Sequence, residues 1–265
     1  MGVLNVTPDS FSDGGLYDKP DSAIRHALQM LEDGADVIDI GGESTRPATF
    51  HDGRPLEIDE ELRRVLPVVQ ELAKLVPGVQ ISIDTYKAKV AAAALEAGAT
   101  IINDISGLTF DLEMARTAAR FGCRMVIMHM VGAPRDVVSP DYVNLIEEIK
   151  SFFISQIDYA EAEGVDRSRI ILDPGIGFGK NIDHNLAILN KLSSFKELGQ
   201  PLLVGASRKT FIGKILGDAP PDERLEGTLA TVAISIINGA DIVRVHDVRE
   251  AVRVAKVADA ILNVA

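Results

Sequence analysis

One phrase recurs along this chain and restricts what it can fold into. A glycine followed by one or two residues closes an amphipathic stretch, and an apolar run starts at once. Gly34-Ala35-Asp36 leads into Val37-Ile38-Asp39-Ile40, and Gly98-Ala99-Thr100 into Ile101-Ile102-Asn103-Asp104. Gly122-Cys123-Arg124 leads into Met125-Val126-Ile127-Met128-His129, and Gly239-Ala240-Asp241 into Ile242-Val243-Arg244-Val245-His246. Glycine suits the left-handed residue that ends a helix. A short unbroken apolar run suits a strand covered on both faces. The phrase is a helix–strand unit. Four more apolar runs fit the scheme without the preface: Val3–Val6, Val79–Asp84, Ile170–Asp173 and Pro201–Val204. Helices are expected at about 21–33, 59–76, 86–97, 111–121, 142–163, 184–198, 223–238 and 248–263.

Eight alternations with no hairpin signal predict a parallel sheet. Eight within 265 residues predict closure into a single-domain α/β fold, a (β/α)8 TIM barrel spanning residues 1–265. A doubly wound sheet would need fewer strands and a dinucleotide-type first turn, which is absent. The hydrophobic share of 46% supplies the core that closure requires.

The apolar runs become polar where they end. Asn5, Asp84, Asn103, Asp104, His129 and Asp173 close runs one, three, four, five and six; run two carries Asp39 and leads to Glu43, Ser44, Thr45 and Arg46. Run seven leads to Ser207, Arg208 and Lys209, and run eight carries Arg244 and His246. Each could cap the next helix. Together they define one rim, and in barrel enzymes the C-terminal rim is the active site. Arg208, Lys209, Arg244 and His246 follow the last two strands, where barrels often bind phosphate. Arg244 and His246 are two apart and share a face of a strand. Asp84 and Asp173 end apolar strands and want donors, which a ring bearing amino and N–H groups supplies. Asn103 can donate and accept. Residues 7–15 (loop 1) and 41–47 (loop 2) are rich in turn residues and are candidate lids.

Several chemistries are excluded. A net charge of −12 argues against a nucleic-acid or anionic-membrane partner. The single cysteine, Cys123, rules out an internal disulfide and fits a reducing cytoplasm. No apolar run reaches membrane-span length. No HExxH or Gly-x-Ser-x-Gly pattern occurs. Asp173-Pro174-Gly175-Ile176-Gly177-Phe178-Gly179-Lys180 lacks the spacing of a P-loop or dinucleotide fingerprint, and reads instead as a turn whose backbone approaches a flat ligand. Residue pattern alone stops at a cytoplasmic barrel enzyme acting on a phosphorylated small molecule.

Eight segments, in order, resemble dihydropteroate synthases: residues 1–15, Gly42-Glu43-Ser44-Thr45-Arg46-Pro47, Ile83-Asp84-Thr85, Ile102-Asn103-Asp104, Met128-His129-Met130, residues 173–180, Ser207-Arg208-Lys209 and Arg244-Val245-His246-Asp247. The resemblance implies a transferase of folate biosynthesis that joins 6-hydroxymethyl-7,8-dihydropterin pyrophosphate to p-aminobenzoate. It implies Mg2+ with Asn5 as the metal-associated residue, and a pterin held by Asp84, Asn103, Asp173 and Lys209. It implies pyrophosphate held by Asn5, Arg244 and His246. It implies p-aminobenzoate bound by Ser44, Thr45, Arg46, Pro47, Phe178 and Ser207, with Asp84, Lys209, Arg244 and His246 as the catalytic set. A homodimer and sulfonamide binding belong to the same expectation.

Two departures stand out. Members of the family usually carry a short segment before the first strand, so a longer native chain is expected. Ala48 stands where the family usually has Gly after Pro47. Two alternatives share the pterin residues: a methyltransferase of the same superfamily that serves a corrinoid partner, and a non-catalytic pterin-binding paralogue. The first has no use for Ser207, Arg208, Lys209, Arg244 and His246 as a set; the second should have lost a motif residue, and none is missing.

Overall fold

The computed structural model describes residues 1–6, 19–43, 55–132 and 140–264. Strand and helix alternate: β1 Gly2–Asn5, α1 Lys19–Glu32, β2 Val37–Gly41, α2 Ile58–Leu75, β3 Gln80–Asp84, α3 Ala88–Glu96, β4 Ile101–Asp104, α4 Glu113–Phe121, β5 Arg124–Met128, α5 Leu145–Ala162 and β6 Ile170–Asp173. Then come α6 Ile182–Asn190, β7 Leu203–Val204, α7 Thr210–Ile215, α8 Leu225–Ile237, β8 Ile242–Val243 and α9 Val248–Leu262. All eight expected strands are present. The helices differ at two places. The stretch expected at 184–198 divides into α6 and a 3-10 segment, Leu192–Leu198, and the short α7 follows β7 directly.

Strands β1 to β6 pair in order and in parallel, and β7 pairs β8. Two bridges close the ring. Leu172 meets Leu202 between β6 and β7, and Gly2 meets Val245 between β8 and β1. The last seam is firm: Val3 donates to the Val245 carbonyl at 2.9 Å, and Val245 donates to that of Met1 at 3.0 Å. Helices end as the recurring phrase requires. Gly122 takes a left-handed φ of 60° and donates to the carbonyls of Ala118 and Ala119, ending α4 just before β5.

Alternation within each strand then builds two layers. One parity faces the helices. Leu4, Ile38, Ile40, Ile81, Ile83, Ile102, Met125, Ile127, Ile170 and Leu172 join Val65, Val69 and Leu72 of α2 in the large outer core. Each such side chain contributes about 1.5–3 kcal/mol on burial. The other parity faces the barrel axis. Met1, Val37, Ile101, Val126, Ile171 and Leu203 form a separate apolar cluster there, with Ile242 against it. Two residues further along the same parity the side chains turn polar: Asp39, Asn103, Asp173 and Arg244. An apolar floor thus carries a polar mouth, and register lines the mouth up. Asn5 pairs with Gly41, Gly41 with Asp84, and Asp84 with Asn103.

Candidate active site

Arg244 lies at the centre of the mouth. Its Nε donates to Asp39 Oδ2 at 2.6 Å, and an Nη donates to Asp84 Oδ2 at 2.7 Å. Asn103 Nδ2 donates to the same Asp39 oxygen at 3.0 Å. Strands β2, β3, β4 and β8 therefore meet in one hydrogen-bonded group. Two carboxylates face one guanidinium, which sets their electrostatics. Burial works against the charge of Arg244, and Asp39 with Asp84 outweighs it, so its pKa lies above the ordinary value. Burial pushes the Asp84 carboxyl up to about 7; Arg244 opposes this and Asp39 adds to it.

A pH dependence follows from Asp84. The folded state holds its proton up to about 7, whereas the ordinary value is 3.8. The folded protein binds more protons than the unfolded chain between those values, so this group lowers stability as pH rises through that window. Asp84→Asn removes the effect. The urea stability of the variant relative to the parent should rise from pH 4 to pH 7 and then level off. Asp104, which burial pushes up to about 6, is common to both proteins and cancels in the difference. A difference independent of pH would contradict the assignment.

The opposite wall comes from β6 and the turn after it. Asp173 Oδ1 accepts from Gly175 N at 2.7 Å. Burial raises its pKa and Lys209 opposes that. Lys209 Nζ donates to the Ile176 carbonyl and stands 4.2 Å from the centre of the Phe178 ring. Burial brings this lysine down to about 8, with Asp173 opposing. The glycines of the turn make room for the protein itself. A Cβ on Gly177 would lie 2.7 Å from Lys209 Cδ, and one on Gly175 would strike the His129 carbonyl. The turn was expected to admit a flat ligand, and at these two positions it admits a lysine stem and a carbonyl. Lys180 ties the turn down, donating to the carbonyls of His129 at 3.1 Å and Phe178 at 3.0 Å.

Three strand-end residues do other work. Asp104 accepts from the backbone of Ser106 and Leu108, both at 2.8 Å, so it organises its own loop. His129 packs its ring against Phe152 and Tyr142, and burial, helped by Lys180, drops its pKa to about 3. Arg208, grouped above with the phosphate cations, instead forms an ion pair with Asp247, its Nε donating at 2.9 Å. It adopts a left-handed φ of 58°. Ser207 Oγ lies 3.0 Å from His246 Nδ1 and accepts from His246 N at 3.2 Å, which joins the ends of β7 and β8.

Loop 1, Ser44, Thr45, Arg46, Pro47 and Ala48 lie outside the described residues. The base of loop 2 is described. Glu43 accepts from Tyr86 Oη at 2.9 Å, Lys87 Nζ at 2.5 Å and Leu56 N at 3.1 Å. Lys87 also pairs with Glu61, which is 1% exposed. Three residues belong beside the expected ones. Asp39 is a charge in the middle of an apolar strand, and that alone signals a distant partner. Lys87 and Glu61 lie on helical stretches that gave no such signal.

The family described as pterin binding enzyme matches residues 1–246. Dihydropteroate synthase of Bacillus subtilis is 51% identical over 263 residues, covering 99% of this chain and 88% of the relative. A Clostridium difficile dihydropteroate synthase solved in the presence of pteroic acid superposes with a TM-score of 0.91 at 48% identity, covering 98% of this chain and 95% of that one. The Xanthomonas albilineans enzyme with 4-aminobenzoic acid gives 0.92 at 39% identity, covering 100% and 93%. Matched almost end to end in sequence and in fold, the chain belongs to the pterin-binding enzyme family and, within it, to the dihydropteroate synthases.

Proposed function

We propose that the chain condenses 6-hydroxymethyl-7,8-dihydropterin pyrophosphate with p-aminobenzoate, releasing pyrophosphate and 7,8-dihydropteroate. The observation that carries this is the buried group of Asp39, Asp84, Asn103 and Arg244. It sets a cation for an anionic leaving group beside acceptors for a ring rich in N–H donors. Asp84, Asn103, Asp173 and Lys209 hold the pterin; Arg244 and His246 hold the pyrophosphate. Phe178 and Ser207 line the p-aminobenzoate side, with Ser44, Thr45, Arg46 and Pro47 from loop 2.

The chemistry is a substitution at the exocyclic carbon. The C–O bond to pyrophosphate breaks early, and the electron pair leaves with the pyrophosphate. Arg244, His246 and Lys209 stabilise that developing charge, which is electrostatic catalysis by groups already in place. Asp84 and Asp173 favour the positive charge left on carbon. The arylamine's own lone pair forms the new C–N bond without a general base for activation, and the proton then lost from nitrogen passes to the departing pyrophosphate.

Magnesium keeps several waters and is often held by few protein oxygens together with substrate phosphates. Among the described residues no cluster of three or more His, Cys, Asp or Glu could cage a metal. Asn5, aligned through Gly41 with Asp84, offers one amide oxygen at the mouth. That donor set fits an ion that arrives with pyrophosphate. When bound, it neutralises charge on the leaving group.

The test is product formation from labelled p-aminobenzoate and the pterin pyrophosphate. Turnover is expected with magnesium, lost with chelator, and competed by a sulfonamide. Tight pterin pyrophosphate binding without turnover would point to a non-catalytic binder, and methyl transfer to a corrinoid partner to the methyltransferase.

The enzyme works as a homodimer in the cytoplasm in this reading. Ile234 and Ile237 of α8 and Val257 and Ile261 of α9 are exposed on two helices that pack together. A patch of this kind suits a second copy of the chain. Ile237→Glu with Ile261→Glu should yield monomers by sedimentation; a persisting dimer would exclude this face. Among the described residues no helix is long and apolar enough to cross a membrane.

A further inference from the structure

We infer that Asp39 is a positioning residue that sets the pterin edge and the anion-binding guanidinium as one unit, through a single carboxylate oxygen shared by Asn103 and Arg244. The inference rests on the substrate assignment proposed above. Asp39 is fully buried on β2, at 0% exposure, one step below Gly41 on the strand parity that faces the barrel axis. Its Oδ2 accepts from Arg244 Nε at 2.6 Å and from Asn103 Nδ2 at 3.0 Å. Its Oδ1, equally buried, has no hydrogen-bond partner among the described residues. All of its hold on the site passes through one atom.

The consequence for each partner is specific. A carboxamide can turn either its oxygen or its nitrogen to a ligand. With the nitrogen of Asn103 committed to Asp39, the amide oxygen is turned away from that carboxylate. Asn103 then presents its oxygen and its second N–H to the ring in one fixed orientation. A guanidinium has five N–H donors in a planar fork. Asp39 takes the Nε–H and Asp84 takes one from an Nη. The plane is set from two sides, and the remaining donors are left for an anion. A change at Asp39 should therefore reach both subsites through Asn103 and Arg244.

The unpartnered Oδ1 makes the test clean. In Asp39→Asn an amide oxygen can take the place of Oδ2 and keep both bonds, and the amide nitrogen takes a place where nothing was bonded. In Asp39→Ala both bonds are lost. Two probes report on the two subsites in calorimetry: 6-hydroxymethylpterin, which carries no phosphate, and inorganic pyrophosphate with magnesium. Asp39→Ala should weaken both by roughly thirtyfold, the scale expected when charge-assisted bonds lose their acceptor. Asp39→Asn should recover most of this, with both losses near threefold, because a neutral acceptor is weaker than an ionised one.

Equal losses in the two variants would show that the charge matters and the shared oxygen does not, and would overturn the inference. So would loss of one probe alone, or unchanged affinities with only a lower melting temperature. If Asp39→Ala does not fold, Asp39→Ser takes its place in the same comparison. Coupling activity of the unmodified enzyme is measured alongside. Its absence would overturn the proposed reaction, whereas the pattern of the two probes decides the role of Asp39.

Discussion

Arg244→Ala is expected to lower kcat/KM by about a thousandfold or more, the scale of removing a donor that stabilises a developing anion. It should also destabilise the fold by about 3–5 kcal/mol, the cost of breaking a buried ion pair from one side. Both losses come from the same geometry. The guanidinium bridges Asp39 and Asp84, and without it two buried carboxylates face each other with no cation between them. The pyrophosphate role that the resemblance gives Arg244 implies that pyrophosphate binding would fall while the affinity for a phosphate-free pterin stayed largely intact. The bridge changes that expectation. Asp84 loses its partner, and Asn103 shares its acceptor with the missing side chain, so phosphate-free pterin binding should weaken too. Urea unfolding and calorimetry with 6-hydroxymethylpterin check the two halves. Normal pterin affinity in a folded variant would break the link between the subsites. Adding Asp39→Asn to Arg244→Ala should restore part of the stability and none of the activity, because it removes the orphaned charge and returns no cation.

The second large effect lies away from the reacting atoms. Lys87→Met should cost about 3–5 kcal/mol, because it leaves two carboxylates without their shared cation. Glu61 is buried on α2, and burial already pushes its pKa up against the pull of Lys87. Replacing the pair together, Lys87→Met with Glu61→Leu, should recover most of the loss, since well-packed apolar groups often match a buried ion pair. Urea midpoints of the three proteins decide this; a single-variant loss below about 1 kcal/mol would place the network among surface pairs of small value. A kinetic consequence is expected as well. Glu43, the other partner of Lys87, holds Leu56 N, so it ties together the residues on either side of segment 44–54. The Michaelis constant for p-aminobenzoate should rise more than that for the pterin pyrophosphate.

Particular residues show how far the chain could be read unaided. The glycine-closed helices and apolar runs gave all eight strands to within a few residues, because local period and local turn chemistry govern both. The extra helix α7 was not legible. It is six residues long, too short to show a period, and it begins directly after Lys209. Arg208 and Arg244 look alike as strand-end cations. Asp39 and Asp104 look alike as strand carboxylates. Their fates differ: Arg208 and Asp104 are satisfied close to the surface or within their own loop, Arg244 and Asp39 across the barrel.

The order of the elements, the parity of each strand and the rim on which the polar residues gather are all written locally in the chain. Those features depend on neighbours a few positions away, which the chain spells out directly. Which polar groups join depends on how the barrel closes. Arg244 and Asp39 are 205 positions apart, and Arg244 and Asp84 160 apart. Closure of β8 onto β1 is what brings β8 over β2 and β3. No periodicity records that closure. A buried charge takes whichever partner the closed barrel places within about 3 Å, since leaving it without one costs several kcal/mol.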